Sequence, residues 1–363
     1  MAVSNLQLTD FRCFKGVSVD PDPEGLTVFK GPNGTGKTSL LEAIAWLATQ
    51  KSFRSSSREA MIRDGADRAI AMAHIVSRTT TSTLGGEIPT SGSSRTRLNG
   101  RTARNRADVA GVLRVSVFSP DDLRLVQGGP ADRRDFLDEV LINQMPRMES
   151  LVAEVDRVLR QRASLLRQAG WHKVADLDST LDVWDARLAS AGEALVEARE
   201  ALAQHMVPLV SETYSRLSGA PNVVGLRYRR SWDGELASVL ASRREDDLRR
   251  QSTGAGPHRD EVEVLLDGRP ARTHASQGEQ RCMAMALRLA AHSVASAAGE
   301  EPPVLLLDDV LSELDYSRAH ALMHSLPPGQ VMLTSAVDPP KDLPEATVVD
   351  VTGIDLGRSR GLL

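Results

Sequence analysis

Cysteine is scarce: Cys13 and Cys282 are the only two in 363 residues. They lie too far apart, and too far from any metal-ligand spacing, to form a disulfide framework or a zinc site, so two packed thiols in a reducing compartment are expected. Long apolar runs are missing too. None approaches the roughly eighteen residues of a membrane-crossing helix. The opening Met1-Ala2-Val3-Ser4-Asn5 also lacks the charged-then-apolar pattern of a secretory leader. A cytoplasmic chain with no membrane partner is the expectation. Net charge is low, at −4, so a polyanion could be met only by local basic patches. What remains is an ordinary globular composition, 41% hydrophobic and 25% charged, long enough for about two domains.

The most informative stretch is Gly31-Pro32-Asn33-Gly34-Thr35-Gly36-Lys37-Thr38, between the apolar run Leu26-Thr27-Val28-Phe29 and the helical pattern that starts at Ser39. A strand, a glycine-rich turn and a helix start, in that order, make a phosphate cradle. Backbone N–H groups converge on phosphate oxygens, the helix dipole adds positive potential, Lys37 reaches the outer phosphates and Thr38 offers a hydroxyl to Mg²⁺. This P-loop predicts a nucleoside triphosphate ligand.

Around it, alternation at Leu6, Leu8 and Phe11, then at Val17 and Val19, predicts two strands before the one that feeds the P-loop. The first helix is expected to end near Gln50. The polar stretch Lys51–Arg58 reads as a loop, either plainly solvated or lying beside nucleotide or DNA. Residues 66 to 118 suggest a small β-rich lobe. In it, Thr79 to Ser94 is expected to be a mobile loop, and Arg95–Arg101 a hairpin around Asn99-Gly100. Arg95, Arg97, Arg101, Arg104 and Arg106 crowd this segment. They suit a DNA phosphate backbone, because each guanidinium can fork onto two oxygens, and equally an ordinary solvated face.

Val115–Phe118 reads as a strand, followed by a turn into a helix. Arg133 and Arg134 in that helix's first turn oppose its dipole; either the neighbouring Asp132 and Asp135 or an anionic partner would explain them. Heptad-spaced residues, Leu137, Leu151, Val158 and Leu165 and then Leu181 through Leu209, predict two antiparallel helices of about 35 residues, each ~50 Å long. They form an arm inserted between two halves of an α/β domain. His258, in a glycine-rich polar loop, is either structural or close to phosphate.

Ser276 and Glu279 form a capping box at the start of another helix. The apolar strand Val304–Leu307 then ends in Asp308-Asp309, a Walker B arrangement: Asp308 can hold Mg²⁺ opposite Thr38, and Asp309 can orient or deprotonate an attacking water. Ser312-Glu313-Leu314-Asp315 turns into the next helix. Gln330–Ser335 reads as a buried strand ending near the nucleotide.

P-loop, serine-glycine signature, Walker B and the Ser-Glu-Leu-Asp turn, with a helical insertion between the halves, resemble the ABC-type ATPases of the SMC class. Within that class the sequence is similar to the RecF family. That likeness rests on Asp10-Phe11-Arg12-Cys13-Phe14, Ser52-Phe53-Arg54, Phe118-Ser119-Pro120-Asp121-Asp122-Leu123, Gly129-Pro130, Arg133–Asp138 and Gly256-Pro257-His258-Arg259.

The resemblance implies an α/β, ABC-type P-loop head with a β-rich lobe (1–130), a helical arm (131–250) and a second head half (251–363). It implies ATP and Mg²⁺ as cofactors, and homodimerisation in which Lys37 and Asp308 of one subunit face Ser276 and Gly278 of the other across ATP. Weak, DNA-stimulated ATP hydrolysis, binding at gaps and single-strand/duplex junctions, and roles in replication, gap repair and the SOS response follow from the same likeness. So does recombinase loading with RecO and RecR. Two departures from the broader ABC pattern point to slow turnover: Asp309 stands where a glutamate is usual, and Thr334-Ser335 where many relatives have a histidine. Gln127 is the candidate for the Mg²⁺-sensing glutamine. The alternatives are an ABC-transporter ATPase subunit and a DNA-binding scaffold that uses ATP only as a structural ligand.

Overall fold

The computed structural model describes residues 1–54, 57–103, 109, 111–171, 176–337 and 346–353. In chain order the first strands and helix are β1 (Ala2–Phe11), β2 (Phe14–Val19), β3 (Leu26–Lys30), α1 (Lys37–Thr49), β4 (Arg68–Val76), β5 (Thr81–Pro89), β6 (Arg95–Leu98), β7 (Arg101–Thr102) and β8 (Val115–Phe118). Next come α2 (Arg124–Gln127), α3 (Pro130–Gln144), α4 (Met148–Trp171), α5 (Leu177–Ser218), β9 (Val224–Arg229), α6 (Leu236–Ser242), α7 (Arg244–Arg250), β10 (Glu261–Leu266), β11 (Arg269–Pro270) and α8 (Ala271–His274). The chain closes with α9 (Gln277–Ala297), β12 (Val304–Leu307), α10 (Tyr316–His324), β13 (Val331–Ser335) and β14 (Ala346–Asp350). Among the described residues no helix is long and apolar enough to cross a membrane.

Two compact units emerge. The first joins residues 1–122, 216–219 and 288 onward; the second joins 123–215 and 220–287. These divisions fall at 122 and 287, whereas the helical arm was expected over 131–250. Polar contacts tie β10 and the loop before it to the helices: Arg134 donates to the Asp260 carbonyl at 2.6 Å, and Arg199 to that of Pro257 at 2.9 Å.

The first unit is two sheets around one helix. A parallel sheet runs β14-β3-β13-β12-β8, and an antiparallel sheet runs β2-β1-β4-β5-β6-β7. Helix α1 is apolar on nearly every side and packs on strands of both sheets, as a fully enclosed helix must. Trp46 and Leu47 reach the antiparallel sheet at Gly86, where a Cβ would stand 2.1 Å from Trp46 Cζ3. Buried Gln330 joins the sheets: its Oε1 accepts from Val3 N at 2.7 Å, and its Nε2 donates to the carbonyls of Val3 and Asp22, each at 2.8 Å.

The strands expected around the P-loop form. Thr79 to Ser94, however, is not a loop throughout. Thr81–Pro89 pairs with β4 in unbroken register from Val76↔Thr81 to Arg68↔Pro89. Its threonines suit a strand, and Leu84, Gly86 and Ile88 alternate inward. The hairpin at Asn99-Gly100 forms with φ of 50° and 78°, as a type I′ turn requires.

In the second unit, the first long helix of the heptad pattern divides into α3 and α4 at Met145-Pro146-Arg147, because proline lacks the N–H and clashes with the preceding turn. The second is a helix of 42 residues. Arg162 of α4 reaches Asp185 of α5 at 2.6 Å, and Leu165 and Leu166 cluster with Leu181, the pairing of an antiparallel hairpin. Arg133 and Arg134 have internal partners. Arg133 forks onto Glu261 with both bonds at 3.0 Å, and Asp132 accepts from Gly129 N at 2.8 Å, so no outside anion is needed.

Candidate functional site

Three adjacent parallel strands, β3, β13 and β12, end at one edge of the sheet, the position at which open α/β sheets bind ligands. The P-loop leaves β3 and wraps the start of α1. Gly34 and Gly36 take φ of 84° and 96°, which glycine adopts without strain. Gly36 is also enclosed: a Cβ there would meet Phe14 Cζ at 2.5 Å and Cys13 Sγ at 2.6 Å. Residues 13 and 14 thus buttress the loop from behind.

The loop borders a cavity of about 570 Å³ lined by Arg12, Cys13, Asn33, Gly34, Gly36, Lys37, Thr38, Ser39, Arg54, Ala60, Asp309 and Thr334. Lys37 donates from Nζ to the carbonyls of Gly31 at 2.6 Å and Pro32 at 2.9 Å. Burial lowers its pKa, against the opposing pull of Asp309 and Asp308.

Asp308 receives two hydroxyls on one oxygen: Thr38 at 2.8 Å and Thr334 at 2.7 Å. Burial raises its pKa, and these two hydrogen bonds and the charge of Arg54 partly offset the rise. Thr334 in turn accepts from Asp309 N at 2.9 Å. Asp309 adopts φ of 51°, and its buried Oδ1 has no hydrogen-bond partner among the described residues. A hydroxyl beside a carboxylate, with an unsatisfied carboxylate oxygen next to them, is the donor set that a hard cation and its waters take up.

The RecF/RecN/SMC N-terminal domain model matches residues 2–335. The DNA replication and repair protein RecF of Acidothermus cellulolyticus is 39% identical over 358 residues, covering 95% of this chain and 96% of that protein. The chain belongs to the RecF family. RecF of Frankia alni is 40% identical, covering 93% of this chain and 94% of that one.

A solved structure of the recombination mediator protein RecF with ATP, of the RecFOR pathway, superposes with a TM-score of 0.87 at 24% identity over 96% of each chain. An SMC head bound to the C-terminal winged-helix domain of ScpA superposes with a TM-score of 0.56 at 15% identity, over 93% of this chain and 90% of that one. The expected ABC-type head, with its helical insertion, is the fold of this RecF-family chain.

Lys37, Thr38, Asp308 and Asp309 lie together in the first unit, with Gly31 through Gly36 around them. The signature lies in the second. There the exposed Ser276 donates from Oγ and from N to Glu279 Oε2, each at 2.7 Å, and Gly278 follows in the first turn of α9. Gln127 donates to Gln280 Oε1 at 2.6 Å, which ties the candidate sensing glutamine to the signature helix. His258 is bonded to the Thr253 carbonyl at 3.1 Å, and burial lowers its pKa to about 4, which favours the neutral ring. Arg95, Arg97 and Arg101 are exposed on β6 and β7, the outer edge of the antiparallel sheet, and none has an ion-pair partner among the described residues. Arg104 and Arg106 lie outside the described residues. Arg58 donates to the Gly92 carbonyl.

Two features escaped sequence reasoning. Thr334 bonds both Walker B residues, a role whose only trace in the sequence is a hydroxyl at the end of an apolar strand. Arg12 and Arg54 line the cavity, although Arg12 was noted only within a family motif and Arg54 only within another such motif and a loop, either solvated or lying beside nucleotide or DNA.

Proposed function

We propose that this chain is an ATP-dependent DNA-binding protein of recombinational repair. ATP gates its homodimerisation at gaps and single-strand/duplex junctions, its hydrolysis is slow, and it helps to load recombinase together with RecO and RecR during replication, gap repair and the SOS response. The observation that carries the reading is the chain Thr38–Asp308–Thr334–Asp309 at the wall of the P-loop cavity.

The P-loop amides and Lys37 bind the phosphates, and Lys37 gives up its contacts with the Gly31 and Pro32 carbonyls to do so. Thr38 and Asp308 are the residues that would hold Mg²⁺, which when bound supplies neutralisation of the phosphate charge. Asp309 orients the attacking water and accepts its proton; its carboxylate is one methylene shorter than glutamate, which fits slow turnover. Ser276 and the amides around Gly278 meet the γ-phosphate from a second subunit, because a capped helix start still presents inward N–H groups. Arg95, Arg97, Arg101 and Arg104 contact the DNA backbone.

The test is molecular mass in solution with and without ATP and gapped duplex, for the wild type and for Lys37→Arg. A wild-type dimer that requires ATP, lost in the variant, is expected. A variant that dimerises and hydrolyses normally would refute the reading. Asp309→Asn should bind ATP and dimerise but hydrolyse at least about a hundredfold more slowly, the usual contribution of a positioned base.

A further inference from the structure

Glu42 lies on α1 beyond Lys37 and is wholly buried, at 0% exposure. A carboxylate there needs strong compensation. It comes from segments distant in sequence. Arg12 forks onto it, from Nε to Oε2 at 2.8 Å and from Nη2 to Oε1 at 2.6 Å; Ser52 donates from Oγ to Oε1 at 2.5 Å; and Arg54 Nη1 stands 3.7 Å from Oε2.

Both cations that Glu42 holds belong to the cavity wall, alongside Lys37 and Asn33. Their hold differs: Arg12 is gripped at two points and 15% exposed, whereas Arg54 is at arm's length and 44% exposed. Arg12 also takes φ of 54°, a conformation uncommon outside glycine, fixed by its N–H donating to the Met61 carbonyl at 2.8 Å. A strained backbone and a two-point grip on a cation that faces a cavity indicate a group held ready for a ligand. Electrostatics gives the reason: Asp309 on the same wall and Asp308 beside it oppose the charge of Lys37, and the arginines add positive charge that a polyphosphate needs there.

We propose that Glu42 is a positioning residue of the nucleotide site, fixing Arg12 as a second cation beside the phosphate cradle. This rests on the nucleotide reading above and names a further determinant of it. Glu42 touches no ligand; it acts through Arg12.

The test is a double-mutant cycle of Glu42→Gln, Arg12→Gln and the pair, read by the dissociation constant of a fluorescent ATP analogue, by KM and kcat, and by the urea midpoint. Each single change should weaken binding about tenfold, the scale of one charge-assisted contact. The pair should be no more than about twofold worse than Arg12→Gln, because what Glu42 still holds once Arg12 is gone is the looser, 3.7 Å contact with the more exposed Arg54. KM should rise while kcat stays within about twofold, as for binding shared by ground and transition states. Glu42→Gln binding within about twofold of wild type, or losses that multiply to about a hundredfold, would overturn the inference.

Should Glu42→Gln not fold, Arg12→Lys carries the test. It keeps the charge but loses the fork, so about tenfold weaker binding is expected, and unchanged affinity refutes the proposal. A wild-type chain that bound no nucleotide would overturn the nucleotide reading and this inference together. Wild-type binding with Glu42→Gln unchanged would overturn this inference alone.

Discussion

Replacing Gly36 with alanine tests how the P-loop is built. Gly36 takes φ of 96° at the start of α1, where an L-residue costs about 1–2 kcal/mol. Its added Cβ would also lie 2.5 Å from Phe14 Cζ and 2.6 Å from Cys13 Sγ. Phe14 is fully buried and has nowhere to retreat, so overpacking adds about 1–3 kcal/mol. The sum, about 2–5 kcal/mol, is a large part of the stability of a typical domain. Gly34 is the internal control: its φ is 84°, but a Cβ there meets nothing within 4 Å, so Gly34→Ala should cost only the backbone share. Both variants would be unfolded in urea without nucleotide. Trp46 would report on the first unit, in a background where Trp171, Trp184 and Trp232 are phenylalanine. Gly36→Ala should be the less stable by about 1–3 kcal/mol. Equal midpoints would refute the claim that residues 13 and 14 brace the loop.

Charge reversal at Arg97 and Arg101 should weaken DNA binding alike for all sequences and flatten its salt dependence, measured by anisotropy at several salt concentrations; unchanged slopes would remove this patch from the interface. Buried His292, whose ring nitrogens have no partner among the described residues, has its pKa lowered by burial from 6.5 to about 4. Since the unfolded chain takes up the proton first, the stability tied to neutral His292 is full above pH 6.5 and lost as pH falls toward 4, by up to about 3 kcal/mol. His292→Leu should flatten that slope in urea midpoints of the first unit. Arg199 forks onto Asp138 with both bonds at 2.7 Å, buried. Arg199→Ala should cost about 3–5 kcal/mol in thermal or urea unfolding, and Arg199→Met with Asp138→Leu clearly less, because no lone charge is then left behind.

Much of the candidate site was legible because its parts are local. Strand, glycine turn, lysine and helix start are contiguous from Leu26 to Thr49, and the Walker B carboxylates directly follow their strand. The capping box at Ser276 and the Asn99-Gly100 turn were readable for the same reason. The Arg12–Glu42–Ser52 cluster was not, since nothing in the sequence says that residues 12 and 42 meet. Arg133 was left between the neighbouring aspartates and an outside anion, because its partner Glu261 is more than a hundred residues away. The strand at Thr81–Pro89 was hidden by its own composition: serine, threonine and glycine signal a loop unless one sees that Gly86 makes room for Trp46. The break at Pro146 was in plain view but was outweighed by the heptad rhythm on either side.

The amide of Gln330 gives the first unit a mechanical property that apolar packing alone does not supply. Greasy surfaces resist separation but slide; a directional bond to both backbone groups of Val3 resists sliding too. A tug on the outer arginine hairpin therefore reaches the strand that carries Thr334 through a directional link as well as through packing.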